Sequence, residues 1–165
     1  MIHCTTLDSP LGELLLAGTA SPASPGGIAL TSVSVPGQKG GALVQPDWRR
    51  DPGPFAEAAR QFEQYFAGER SGFDLELAVR GTEFRTKVWR ALDAVPYGTT
   101  TTYGAIAEAV GVAGPAVRAV GGAVGANPLL VIRPCHRVIG ADGSLTGYAG
   151  GLERKRLLLA LERGR

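Results

Sequence analysis

Short apolar runs separated by turn residues fill the first third of the chain. "IHCTTL" (2–7) and "ELLLAG" (13–18) read as strands, with "DSPLG" (8–12) as the turn between them, which makes a hairpin. "TASPASPGG" (19–27) is a loop rich in Gly, Pro and Ser, and "IALTSVSV" (28–35) alternates enough for a third strand. The stretch 36–54 holds few core residues and predicts no regular element. From Pro54 the period lengthens. Phe55, Ala59, Phe62 and Phe66 fall at helical spacing with Tyr65 beside them, and Gly68 marks the stop. "SGFDLELAVRG" (71–81) reads as an extended connector, with a domain boundary near residues 78–82.

Beyond that boundary the helical period takes over. Thr82 is placed to cap a helix whose apolar stripe is Phe84, Val88, Ala91, Leu92 and Val95. "PYGTTTT" (96–102) ends it and supplies hydroxyls to start "YGAIAEAVG" (103–111), which Gly111 closes. A turn of three or four residues leads into "GPAVRAVGGAVGAN" (114–127). Two short helices around a Gly-bearing turn predict a helix-turn-helix. "PLLVIRPCHRVIG" (128–140) is expected to be partly extended, "ADGS" (141–144) a tight turn, and "LERKRLLLALE" (152–162) a final amphipathic helix. The pattern predicts an α+β chain. Residues 1–80 would form a three-stranded sheet with one helix, and residues 81–165 a mainly helical domain.

One of those helices has an unusual face. Val117, Val120 and Val124 make its core stripe, and Arg118 points elsewhere. Around Arg118 lie Ala119, Gly121, Gly122 and Ala123, and Ala126 continues the surface of small residues. Each glycine inside a helix costs roughly 1 kcal/mol relative to alanine, so two in succession imply close approach of another backbone. Tight packing on a neighbouring helix would serve. So would docking on nucleic acid, with Arg118 as the single long side chain. A reader of base edges needs several polar side chains there; this face suits sequence-independent docking in a narrow groove.

Composition narrows the setting. The 165 residues are 44% apolar and 19% charged, enough for a packed core in one or two small domains. No apolar run nears the roughly 20 residues that span a bilayer, and residues 1–10 carry neither a basic nor an apolar leader. A cytoplasmic protein with no membrane partner is expected. Charge is uneven: residues 1–79 hold 5 Lys/Arg against 9 Asp/Glu, net −4, and residues 80–165 hold 12 against 6, net +6, which together give the chain's +2. A basic half suits a polyanion partner, although surface scatter produces such asymmetry too.

The candidate chemistry lies in "IRPCHRVIG" (132–140), where Cys135 adjoins His136. A thiol needs a base to become a nucleophile at neutral pH, and the base needs an orienting group. Neighbours on an extended strand point to opposite faces, so a direct bond between these two is not guaranteed and a water could bridge them. Glu162 stands three and four residues after Leu159 and Leu158 on the buried stripe of the last helix, where a carboxylate needs a partner such as His136. The residues alone leave two other readings open, a structural Cys beside a His and a solvated Glu162. The two cysteines are expected free, with a Cys4–Cys135 disulfide as the alternative. No set of Cys and His has zinc spacing, so no metal and no cofactor are expected.

In order along the chain, "GTEFRTKVW" (81–89), "PYGTTTTYGAIA" (96–107), "RAVGGAVGANP" (118–128), "IRPCHRVIG" and "GYAGGLERKRLLLALE" (147–162) resemble the O6-alkylguanine-DNA alkyltransferase family of one-shot repair proteins. The resemblance implies that Cys135 accepts the alkyl group of O6-alkylguanine, or of O4-alkylthymine, in duplex DNA. His136 would deprotonate it through a water, with Glu162 orienting the imidazole. Asn127 would brace the turn before the active-site strand, and Tyr103 would give its proton to N3 of the guanine. Arg118 would fill the gap left by the flipped nucleotide, on a face formed with Ala119, Gly121, Gly122 and Ala123. Carbonyls of Cys135 and Val138, the ring of Tyr148 and the N–H of Ala149 would line the pocket. Some relatives carry Ser at the position of Ala149; Ala keeps the N–H. The resemblance further implies a monomer in the cytoplasm, with cooperative assembly on DNA left open. A cysteine hydrolase built on Cys135, His136 and Glu162 would explain the triad but not the glycine-faced helix. A damage-binding protein without transfer would not need Cys135.

Overall fold

A computed structural model describes residues 1–164; Arg165, the last residue of the predicted helical domain, lies outside the described residues. The fold is α+β. The chain divides into two compact units, Met1–Val79 and Arg80–Arg165.

In the first unit, β1 (Ile2–Ser9) and β2 (Gly12–Ala20) pair antiparallel, and β3 (Ile28–Ser34) pairs antiparallel with β2. Gly12, at φ 102°, makes the hairpin turn. A fourth strand departs from the three expected. β4 (Arg49–Arg50) runs parallel to β1 beside His3 and Cys4, giving the order β3-β2-β1-β4. Two exposed residues are too few to show an alternating pattern, so the sequence carried no signal for it.

Leu14, Leu16 and Val33 are buried on one face of that sheet, and Cys4 is buried on the other beside Ala17. The helix α1 (Ala56–Phe66) starts after a short 3-10 turn holding Pro54. It buries Phe62 and Tyr65 as expected, but Ala58 rather than Ala59. Buried Gln61 ties the connector to α1, donating to the Asp74 carbonyl (3.1 Å) and accepting from the Asp74 N–H (2.8 Å).

The second unit is helical. α2 (Glu83–Asp93) starts at Thr82, whose Oγ1 accepts from the Arg85 N–H (3.1 Å). α3 (Tyr103–Val110) is capped in the same way by Thr102 onto the Ala105 N–H and closed by Gly111 in the left-handed conformation. α4 (Val117–Gly125) follows a 3-10 turn at Gly114–Ala116, so the connector 111–116 is longer than the turn expected. Val88, Trp89, Leu92, Ile106, Val120 and Val124 pack between α2, α3 and α4. Trp89 Nε1–H donates to the Ala123 carbonyl (2.9 Å). The pair β5 (Thr101–Thr102) and β6 (Val138–Ile139) is parallel. α5 (Leu152–Glu162) ends the unit. No helix among the described residues is long and apolar enough to cross a membrane.

Candidate active site

The site is built where the chain leaves α4. Asn127 is buried, and its side chain ties the following turn together. Its Oδ1 accepts the Leu129 N–H (3.0 Å), and its Nδ2 serves the carbonyls of Leu129 (3.3 Å) and Arg133 (3.1 Å). The same Nδ2 reaches Cys135 Sγ at 3.2 Å. The expected brace is therefore also a direct donor to the sulfur, which suits a thiolate. Within this turn Val131 is buried at φ 73°. A β-branched residue adopts that conformation only under constraint.

Of the stretch expected to be partly extended, Val138–Ile139 is strand, whereas Cys135, His136 and Arg137 form a 3-10 turn. All three are buried. No hydrogen bond joins Cys135 to His136. The imidazole instead turns its Nε2 to Glu162 Oε2 at 2.7 Å, while its Nδ1 is buried without a partner among the described residues. Nε2 thus carries the proton shared with the carboxylate, and Nδ1 is the free basic position. Both cysteines are free thiols. Among the described residues, no three His, Cys, Asp or Glu side chains group to hold a metal ion.

Burial pushes the Cys135 thiol up from 9.0 to about 11, against the opposing pull of Asn127, Lys155 and Arg133. Burial holds His136 below 6.5, although Glu162 works the other way. At rest the pair is a neutral thiol and a neutral imidazole. At pH 7 a thiol of pKa 11 is ionised in only roughly one molecule in ten thousand, so a base is required.

Three buried cations were missed in the sequence: Lys155, Arg137 and Arg133, whose Nε donates to Asp93 Oδ1 (3.2 Å). Lys155 is completely buried, and its Nζ donates to the carbonyls of Val138 (2.5 Å) and Thr146 (3.0 Å), with that of Gly147 at 3.4 Å. Burial lowers its pKa, and its interaction with Cys135 raises it. Its position gave the available signal: it lies three residues before Leu158 and seven before Glu162, on the buried stripe of α5. Leu152, expected near that stripe, is instead exposed. Arg137 Nε and Nη2 donate to Glu162 Oε1 (2.7 Å) and Oε2 (3.0 Å), and Nη1 donates to the Val95 carbonyl (2.7 Å).

The remaining predicted residues lie around this centre. The β5–β6 pairing, with Thr102 opposite Ile139, sets Tyr103 at the start of α3 beside the active-site segment. Tyr103, Tyr148 and Ala149 are half-buried. A Cβ on Gly150 would stand 2.8 Å from the Tyr148 ring, so only glycine lets that ring take its place. The Val138 carbonyl already accepts from Lys155, leaving one lone pair for a ligand, and the Cys135 carbonyl accepts the Val138 N–H.

On α4, Arg118, Ala119 and Gly122 are exposed and Gly121 is half-buried. A Cβ added at Gly121 or Gly122 would meet nothing within 4 Å, which removes the helix-packing explanation for the pair. Ala123 does not belong to this surface. It is 2% exposed, because its carbonyl receives the Trp89 indole from the core side.

Residues 83–164 match the family described as "6-O-methylguanine DNA methyltransferase, DNA binding domain". The methylated-DNA–protein-cysteine methyltransferase of Mycobacterium tuberculosis is 50% identical over 100% of this chain and 94% of its own length. That of Methanosarcina acetivorans is 48% identical over 98% of each chain. The crystal structure of Mycobacterium tuberculosis OGT in complex with DNA aligns with TM-score 0.86 and 49% identity, covering 98% of this chain and 93% of that one. This chain belongs to the methylated-DNA–protein-cysteine methyltransferase family.

Proposed function

We propose that this protein repairs DNA by direct reversal, moving the alkyl group of O6-alkylguanine in duplex DNA onto its own Cys135. The observation that carries the reading is the buried Cys135 thiol, touched by the Asn127 amide and neighboured by a His136–Glu162 pair whose free ring nitrogen is Nδ1. His136 Nδ1 takes the thiol proton through a water. The thiolate attacks the alkyl carbon, the carbon–O6 bond breaks, and its electron pair passes into the guanine. Tyr103 gives N3 a proton, so the base departs neutral. The Ala149 N–H and the Val138 and Cys135 carbonyls hold the base, with Tyr148 as a wall. The same attack applies to O4-alkylthymine.

The target atom lies inside the base stack, so the nucleotide must be flipped out, and a damaged pair opens at lower cost. In this reading α3 and α4 act as a helix-turn-helix docked in the minor groove. Arg118 enters the stack, and the open face of Ala119, Gly121 and Gly122 meets the sugar-phosphate walls without reading bases. The product is a thioether, which water does not cleave. The other thiol, Cys4, is buried within the first unit. One molecule therefore repairs one lesion.

The test is mass spectrometry after incubation with a duplex holding one O6-methylguanine. A gain of one methylene on the Cys135 peptide, equimolar with protein, is expected. A gain on Cys4, no gain, or repeated turnover of an ester would overturn the reading.

A further inference from the structure

Glu162 has more to balance than His136. Its two oxygens face the Arg137 fork at 2.7 and 3.0 Å, and the second oxygen also faces His136 Nε2 at 2.7 Å. The Glu162 side chain is 1% exposed, that of His136 0% and that of Arg137 8%. A carboxylate this deeply buried requires a counter-charge. Either Arg137 supplies it, or the imidazole must do so by holding a second proton.

We infer that Arg137 is a positioning residue for the base: it neutralises Glu162 so that His136 rests uncharged, with Nδ1 open to the thiol proton. The guanidinium is fixed for this by its third bond, to the Val95 carbonyl, and by its seat 5.6 Å from the centre of the Tyr97 ring. Proton balance is then simple. At rest Arg137 is positive, Glu162 negative, and His136 and Cys135 neutral. On activation one proton passes from Sγ to Nδ1, and the new imidazolium and thiolate compensate each other. Without Arg137, the His136–Glu162 pair would hold its own proton at rest, and the base would be occupied before the substrate arrived.

The charged groups acting on the imidazole are Glu162 and Lys155 from α5 and Arg137 beside it. Glu162 favours the imidazolium, whereas Arg137 and Lys155 oppose it. Removing Arg137 leaves burial and Lys155 against Glu162, so the His136 pKa rises. The neutral base then appears only at higher pH.

This inference rests on the alkyl-transfer reading, and the wild-type mass shift tests that reading separately. The experiment is the pH dependence of single-turnover alkylation for wild type, Arg137→Met, Arg137→Lys and Arg137→Met/Glu162→Gln. In Arg137→Met the acidic limb should move up by about one pH unit or more, as expected for loss of a buried counter-charge. Arg137→Lys should hold it near wild type. The double variant lacks the carboxylate, so its limb should return downward even though the rate is low. An unmoved limb in Arg137→Met, with only a uniform loss of rate, would mean a merely structural role and would overturn the inference. Nitrogen-15 spectra of the His136 ring in the wild-type protein need no variant to fold. A neutral Nε2–H tautomer at pH 7 is expected, and an imidazolium there would refute it.

Discussion

At the scale of single residues, the site combines a suppressed thiol with groups waiting to receive its ionised form. Asn127→Ala removes both the donor to Cys135 and the brace of residues 129–133. Alkylation should slow by at least tenfold. Stability should fall by about 1–3 kcal/mol, the cost of unpaired buried polar groups; single-turnover kinetics and thermal melts check both. The titrations of His136 and Cys135 shape stability on the acid and alkaline sides. His136 is depressed below 6.5, so the folded state loses ground as pH falls through and below that value. Cys135 is raised from 9.0 to about 11, so stability is lost as pH climbs above 9.0. Melting temperature should therefore peak between 6.5 and 9.0, and the methylated protein should lack the alkaline loss because a thioether does not titrate. Cys135, His136 and Asn127 were legible because rare residue types stood in an ordered motif, and Glu162 because it falls on the buried stripe of α5. Lys155 and Arg137 were not. A cation in sequence reads as surface, and only three-dimensional packing reveals carbonyls or a carboxylate around it.

At the scale of elements, α4 is the informative case. Its glycines weaken the helix, and nothing inside the protein repays that cost. Gly121→Ala and Gly122→Ala should each stabilise the free protein by up to about 1 kcal/mol. Both should weaken duplex binding while leaving reaction with a free O6-alkylguanine base unchanged. Melting curves paired with duplex titrations decide this; a stabilised variant with undiminished duplex affinity would remove the docking role of that face. Arg118→Ala should likewise cost far more on duplex DNA than on the free base, and equal losses would contradict its entry into the stack. Strands β1 to β3 and all five helices were legible, since each had turn or cap residues at its ends. What escaped was set by partners rather than local pattern: β4 exists only because β1 offers an edge, and the Cys135 turn only because Asn127, Lys155 and Glu162 hold it on three sides. Ala123 was misplaced because a helical wheel cannot show that Trp89 reaches across.

At the scale of the molecule, the two units differ in sign, and the basic one carries Cys135. Most phosphate contacts should then come from residues 80–165, so duplex affinity should drop steeply between low and physiological salt. Filter-binding or anisotropy titrations across a salt series would show it, and a flat response would mean that charge contributes little to docking.

The arrangement of α5 also bears on how chains of this kind can vary. Lys155 pins the segment from Val138 to Gly147, and Glu162 anchors the base, on one rigid helix seven residues apart. Each residue inserted between them would turn Glu162 by about 100° around the axis, away from His136. A change of length in the loop 36–48, before β4, leaves this geometry untouched, whereas an insertion or deletion between 155 and 162 breaks it.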